Sequence, residues 1–95
     1  MVNRNYIRGR AAEYRAKKEL EADDFFVIRS AGSHSYADLI AVDINVTRLI
    51  QVKATTKGKN YMDDNLRALI ALPVHDNCRK ELWILTKKGF QKDSL

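Results

Sequence analysis

Three polar side chains interrupt two apolar segments near the middle of the chain. Asp38 stands near the start of residues 37–42, and Gln51 and Lys53 alternate with apolar residues at the end of residues 47–54. Because side chains of a strand alternate between the two faces of a sheet, Gln51 and Lys53 share one face. If the two segments pair, a carboxylate, a carboxamide and an ammonium group lie together. That combination suits a divalent metal ion and a phosphate group.

The chemistry that these groups could perform is phosphodiester hydrolysis. This reaction needs a metal-bound water or hydroxide, stabilisation of negative charge on the phosphorus oxygens, and a proton for the leaving oxygen. Asp38, Gln51 and the main-chain carbonyl of Val52 supply hard oxygen ligands of the kind that Mg²⁺ prefers, with Mn²⁺ as a substitute. Lys53 supplies the cation that orients the water or stabilises the transition state.

A fourth candidate lies in an N-terminal segment with helix-forming composition, residues 5–22. Gly9, Glu13, Ala16 and Leu20 follow the spacing of one helical face, so Glu13 falls within the stripe that should pack on the sheet. Glu13 would add an oxygen to the metal site, directly or through water. The alternative is an ordinary ion pair with Lys17, one turn further along the helix.

The remaining elements follow from composition and periodicity. We predict strands at residues 25–28, closed by Arg29, and at residues 37–42, 47–54 and 82–86, with a turn at residues 43–45. A second helix should begin at residues 63–65, with Leu66, Leu69, Ile70 and Val74 on its apolar face, and Pro73 should end or kink it. Residues 90–95 form either a short strand or a loose tail.

This order of elements predicts an α/β domain spanning residues 1–95, with a small mixed sheet flanked by helices. The last predicted strand follows a helix, so it should pair in parallel with a strand of the sheet. Two loops carry further candidates for binding. The loop at residues 30–36 contains Ser33, and the basic loop at residues 55–60 contains Lys57 and Lys59.

Charge and cysteine content restrict the functional classes. The 95 residues contain 17 Lys and Arg against 12 Asp and Glu, a net charge of +5 that favours an acidic partner such as nucleic acid. Arg4, Arg8 and Arg10 suit an N-terminal arm that contacts phosphates, and they suit an ordinary solvated terminus equally well. The single cysteine, Cys78, excludes an internal disulfide, which is typical of a reduced intracellular setting. No apolar segment follows the N-terminal arginines as in a signal peptide, and no apolar run approaches the ~20 residues of a membrane span. We therefore expect a soluble protein of the cytoplasm.

A purely structural interpretation of the polar cluster stays open from the residues alone. In that interpretation Asp38 caps a strand, Gln51 lies on a solvated face, and Lys53 extends its ammonium group outward.

Five ordered motifs of the chain resemble the archaeal Holliday junction resolvases, within the PD-(D/E)xK nuclease superfamily. They are RGRAAE at residues 8–13, FVIRS at 26–30, DLIA at 38–41, IQVK at 50–53 and LWILTK at 82–87. The resemblance implies a restriction-endonuclease-like fold, a homodimer with two active sites, and Mg²⁺-dependent cutting of paired strands at four-way DNA junctions.

The resemblance also implies roles for individual residues. Glu13, Asp38 and Lys53 occupy the catalytic positions of the family, and Ser33 is similar to its loop serine near the scissile phosphate. The basic residues Arg8, Arg10 and Arg29 fall where the family contacts DNA.

The chain departs from the family pattern at Gln51, where the resolvases usually have a second acid, and at Ala37, where the superfamily name has proline. Related restriction-type nucleases use Gln-x-Lys, so a less selective repair, phage or restriction-type nuclease is an alternative. A DNA-binding module with the same fold and weak catalysis is another.

Overall fold

The computed structural model describes residues 4–30, 36–54 and 62–95, and for residues 4–7 it describes the helical backbone alone. Two helices and five strands follow one another along the chain. They are α1 (Arg4–Ala22), β1 (Phe26–Arg29), β2 (Leu39–Val42), β3 (Thr47–Ala54), α2 (Asp64–Ala71), β4 (Cys78–Thr86) and β5 (Gly89–Ser94).

The strands form one mixed sheet in the order β1-β2-β3-β4-β5. The β1/β2, β2/β3 and β4/β5 pairs are antiparallel, whereas β3 and β4 pair in parallel across α2. The predicted α/β class, flanking helices and parallel pair are therefore confirmed. The bounds of β3 were predicted correctly, but β4 begins four residues earlier than predicted, and the C-terminal segment is a strand.

Helix α1 covers one face of the sheet. Its buried stripe consists of Ala12, Ala16 and Leu20. Because the two alanine side chains are small, the helix can approach the strands closely. The sheet contributes the side chains of every second residue, which share this face: Val27, Leu39, Ala41, Ile50, Val52 and Trp83.

Helix α2 lies on the opposite face. Leu66 packs with Leu82 and Ile84 of β4, whose neighbours Glu81 and Trp83 point to the α1 side. The prediction that Ile70 belongs to the buried face was wrong, because its side chain is 42% exposed. The helix has eight residues and ends before Pro73, so its buried stripe is too short to include Val74, which is also exposed.

The end of α1 directs the chain into β1. Asp24 adopts a left-handed conformation with φ of 67°, and the Phe25 amide donates to the Leu20 carbonyl at 3.1 Å. This backbone arrangement usually has glycine at the left-handed position. Phe25 then packs against the core as the chain enters the sheet.

A buried ion pair fastens β3 to β4 under α1. Arg48 donates two hydrogen bonds of 2.7 Å to Glu81, and the Trp83 indole donates to the same carboxylate at 2.8 Å. Burial opposes the charged form of Glu81, but these hydrogen bonds and the Arg48 charge outweigh it and lower the pKa of Glu81. The network lies at the start of β3, away from Lys53 at its end.

Candidate active site

The candidate site forms where β2 and β3 stop pairing. The last paired residues are Leu39 and Ile50, and just before them the Asp38 amide donates to the Ile50 carbonyl at 2.9 Å. One residue beyond Gln51, the Val52 amide donates to Oδ2 of Asp38 at 2.8 Å instead of to a strand. Beyond Leu39 and Ile50 the two strands separate, and the Asp38 carboxylate takes the place of the next main-chain acceptor in the gap between them. Side chains from both faces of the sheet can meet at this gap.

Gln51 is buried, with 2% of its surface exposed, so the solvated position of the structural interpretation is wrong. Its Nε2 donates to the main-chain carbonyl of Tyr36 at 2.9 Å, which orients the amide because a carbonyl can only accept. The other amide atom, Oε1, is buried and has no hydrogen-bond partner in the part of the chain that the structure describes. A buried acceptor without a partner is costly, and such atoms often mark a site that a ligand completes.

Glu13 reaches the gap from the α1 side. Its Oε1 accepts from Nε of Arg29 at 2.9 Å, while Lys17 pairs with Glu21 at 3.1 Å. The alternative of a Glu13 to Lys17 ion pair is therefore wrong. Burial and then the nearby Asp38 charge raise the pKa of Glu13, and Arg29 and Arg10 offset this only in part.

Asp38 is in a similar environment. Burial is the largest cause that raises the pKa of its carboxyl group, and the Asp63 charge adds to it. The Val52 hydrogen bond and the charges of Lys53 and Arg29 act in the opposite direction without cancelling the effect. Both carboxyl groups therefore lie in surroundings that disfavour their charged forms, mainly because they are partly buried. A cation bound between them would favour the charged forms.

Lys53 does not extend into solvent. Its Nζ donates to Oδ2 of Asp63 at 2.7 Å, and 28% of its side chain is exposed. Sequence reasoning identified Asp63 only as a helix cap and missed its contact with Lys53. The two residues are ten positions apart, and the sequence signal for the cap carries no information about a partner in β3.

The donors of the site fit Mg²⁺ if amide and main-chain oxygens are included. Among the described residues, no group of three or more His, Cys, Asp or Glu side chains converges to hold a metal ion. The buried Oε1 of Gln51 and a carboxylate oxygen of Asp38 are hard ligands suited to this ion. Because Val52 turns its amide toward Asp38, its carbonyl belongs to the same edge of β3.

The basic residues predicted to contact DNA are only partly described. Arg8, Arg10 and Arg29 are exposed, and Arg29 also holds Glu13. The side chain of Arg4 lies outside the described residues, as do Ser33, Lys57 and Lys59. In the part of the chain that the structure describes, no helix has the length and apolar character required to cross a membrane.

Comparison with known protein families gives a match over nearly the whole chain. The family model described as archaeal Holliday junction resolvase (hjc) matches residues 4–93 of the 95 residues. The match includes both helices and nearly all of the sheet. It also includes the four residues of the candidate site, Glu13, Asp38, Gln51 and Lys53.

Proposed function

Because the chain belongs to the archaeal Holliday junction resolvase family, a family of junction-cutting nucleases, we propose that it is a metal-dependent endonuclease selective for four-way DNA junctions. The observation that carries the metal dependence is the buried Oε1 of Gln51, which has no hydrogen-bond partner among the described residues. The carboxyl groups of Glu13 and Asp38 support the same conclusion, since burial raises the pKa of both and a bound cation would favour their charged forms.

Mg²⁺ would be held by Asp38, by Oε1 of Gln51 and by the main-chain carbonyl of Val52, with Glu13 as a ligand directly or through water. When bound, the ion supplies a hydroxide nucleophile at neutral pH and stabilises charge on the phosphate. Mn²⁺ is a suitable substitute because it accepts the same oxygen ligands. A carboxamide in place of a second carboxylate removes one negative charge, so we expect a weaker metal affinity than two acids would give.

Lys53 acts on the phosphate side of the site. Its ammonium group lies beside Asp38 at the end of β3 and can orient the attacking water or bind a non-bridging phosphate oxygen. Ser33 is proposed to donate a hydrogen bond to the same phosphate. The Tyr36 carbonyl accepts a hydrogen bond from Gln51, and Tyr36 lies two residues before Asp38. This hydrogen bond holds the segment that carries Asp38 against β3, so the proposed metal ligands and Lys53 lie at the same edge of the sheet.

DNA affinity would come mainly from the basic surface. Arg4, Arg8, Arg10 and Arg29 would contact backbone phosphates, together with Lys57 and Lys59 after β3. The net charge of +5 supports this proposal. Arg29 has a second task, because its guanidinium group also holds the Glu13 carboxylate.

A homodimer would place two such sites on one junction, which suits paired cuts on a nearly two-fold substrate. Leu82 and Trp83, the large apolar residues of β4, are buried and do not contribute to a dimer interface. A different surface is available on the sheet: Phe26 is 69% exposed and lies on the face opposite α1 with Ile28. We propose that a second copy covers it.

Light scattering at micromolar concentration tests the dimer. Phe26→Asp should shift the protein toward the monomer, whereas Ile44→Asp should not, because Ile44 is an equally apolar exposed residue that lies in the β2 to β3 turn and not on the face of the sheet. A wild-type protein that remains monomeric would contradict paired cleavage.

The nuclease proposal is tested by cleavage of matched substrates in Mg²⁺ and Mn²⁺. The substrates are a four-way junction, a duplex, a single strand and a flap of related sequence. Symmetric cuts restricted to the junction are expected. Equal cutting of all four would favour a less selective nuclease, and tight binding without cleavage in either metal would favour a DNA-binding module.

A further inference from the structure

The carboxylate of Asp63 makes two contacts with different parts of the fold. Oδ1 accepts from the Leu66 amide at 2.8 Å, which caps α2, and Oδ2 accepts from Nζ of Lys53 at 2.7 Å, which belongs to β3. The cap sets the orientation of the carboxylate, and the residue itself has extended backbone angles typical of an N-cap. Asp63 therefore joins the start of α2 to the end of the strand that carries Gln51 and Lys53.

This ion pair contributes little to stability. The Asp63 side chain is 47% exposed, and water and salt screen the attraction between the charges of an exposed ion pair. Its effect on geometry is larger, because lysine has four methylene groups and many conformations in solvent. A carboxylate fixed on a helix that is anchored by buried Leu66 and Leu69 restricts Nζ to one place.

The position of Nζ matters for Asp38. Lys53 directly follows Val52, whose amide donates to the Asp38 carboxylate at 2.8 Å, so the Lys53 side chain begins one residue from the strand position that holds Asp38. Among the described residues, the carboxylate that Nζ contacts directly is that of Asp63. Without Asp63, the ammonium group would be free to turn toward Asp38, and an Asp38 to Lys53 pair would occupy the oxygen that a metal ion requires.

We propose that Asp63 is a positioning residue that holds the Lys53 ammonium group beside Asp38 and prevents it from pairing with Asp38. The inference rests on the proposed nuclease function. In it, Asp63 does not touch the metal ion or the DNA. Its role is to keep Lys53 directed at the phosphate and one oxygen of Asp38 open.

Asp63→Ser separates this role from capping. Serine caps helices about as well as aspartate but has no charge and cannot reach Lys53. Asp64→Ser is the matched control. Asp64 is fully exposed in the first turn of the same helix, pairs with Arg67 at 3.3 Å, and carries the same charge. Both variants therefore change the net charge equally at almost the same place.

Two readouts test the proposal. In steady-state cleavage, Asp63→Ser should lower kcat by about ten- to a hundredfold, the scale of a misplaced catalytic group, while KM for the junction changes less than about twofold. In the metal-free and DNA-free protein, the ¹³Cε NMR signal of Lys53, assigned with Lys53→Arg, should indicate restricted motion in the wild type and in Asp64→Ser. In Asp63→Ser it should indicate free motion.

The outcomes separate the two proposals. If the wild type cuts no substrate, the nuclease function fails, while the lysine signal still decides whether Asp63 holds Lys53. Normal kcat in Asp63→Ser would overturn the inference, as would a Lys53 signal that is equally mobile in all three proteins. An equal loss of kcat in Asp64→Ser would also overturn it, because the effect would then come from net charge.

Discussion

Replacement of Gln51 by glutamate tests the site most directly, because it exchanges one amide group for a carboxylate of the same shape. In the wild type, Nε2 donates to the Tyr36 carbonyl at 2.9 Å in an environment with 2% exposure. A carboxylate there would place a negative oxygen against that carbonyl oxygen. A protonated carboxyl group would restore the donor.

The cost of that protonation sets the size of the effect. Holding a glutamic acid with an ordinary pKa of about 4.3 in its neutral form at pH 7 costs about 3.7 kcal/mol, at about 1.36 kcal/mol per pH unit. We therefore expect Gln51→Glu to lower the free energy of unfolding of the metal-free protein by up to about 4 kcal/mol at pH 7. That is a large part of the roughly 5–15 kcal/mol typical of a domain.

The dependence on pH and metal identifies the cause. The folded-state pKa of the new carboxyl group lies above its unfolded value, so the loss should be present at pH 7 and disappear as the pH falls toward 4. Saturating Mg²⁺ should also reduce the loss, because the second carboxylate should bind the ion more tightly than the wild-type amide does and so gain more stability from it, by about 1.4 kcal/mol for each tenfold difference in affinity. With the metal bound, we expect Gln51→Glu to retain or raise cleavage activity.

Urea unfolding in EDTA and in MgCl₂, at pH 7 and pH 4.5, gives the required free energies. Gln51→Met is the control, since it removes both the donor and the unpartnered Oε1 without adding charge. Equal and pH-independent stabilities of the two variants would refute the reasoning. A stable variant that does not cleave in Mg²⁺ would instead show that the amide donor is required for catalysis.

Three further predictions concern single side chains. Glu13→Ala, Asp38→Asn and Lys53→Ala should each abolish cleavage in a junction assay and leave binding in a gel-shift assay within about threefold, since phosphate contacts supply most of the affinity; parallel loss of binding in all three would indicate structural roles. Asp24→Gly should raise the free energy of unfolding by about 1 kcal/mol, or about 4–8 °C in Tm, because Asp24 has φ of 67°; no gain over Asp23→Gly would contradict this. Glu81→Gln should cost about 1–3 kcal/mol at pH 7. The folded-state pKa of Glu81 lies below the ordinary value of 4.5, so its contribution is present above pH 4.5 and is lost as the pH falls through the folded pKa; a difference from wild type that persists in unfolding curves at pH 2.5 would argue against it.

Local sequence signals determined most of the fold. The alternation of side chains in residues 47–54 predicted β3 with correct bounds and placed Gln51 and Lys53 on one face. The Asp63 to Asn65 segment predicted the start of α2, and the helix between two strands predicted the parallel pair. These features depend on residues close in the chain, whose periodicity and capping hydrogen bonds are local properties of the sequence.

The contacts that define the candidate site depended on tertiary structure alone. Gln51 meets the Tyr36 carbonyl across 15 residues, Arg29 meets Glu13 across 16, and Lys53 meets Asp63 across 10. Residue types allowed each of these groups several partners, among them Lys17 for Glu13 and solvent for Gln51. The partner of each group is determined by the packing of α1 and α2 on opposite faces of the sheet and by the gap where β2 and β3 separate. No local sequence pattern encodes either feature.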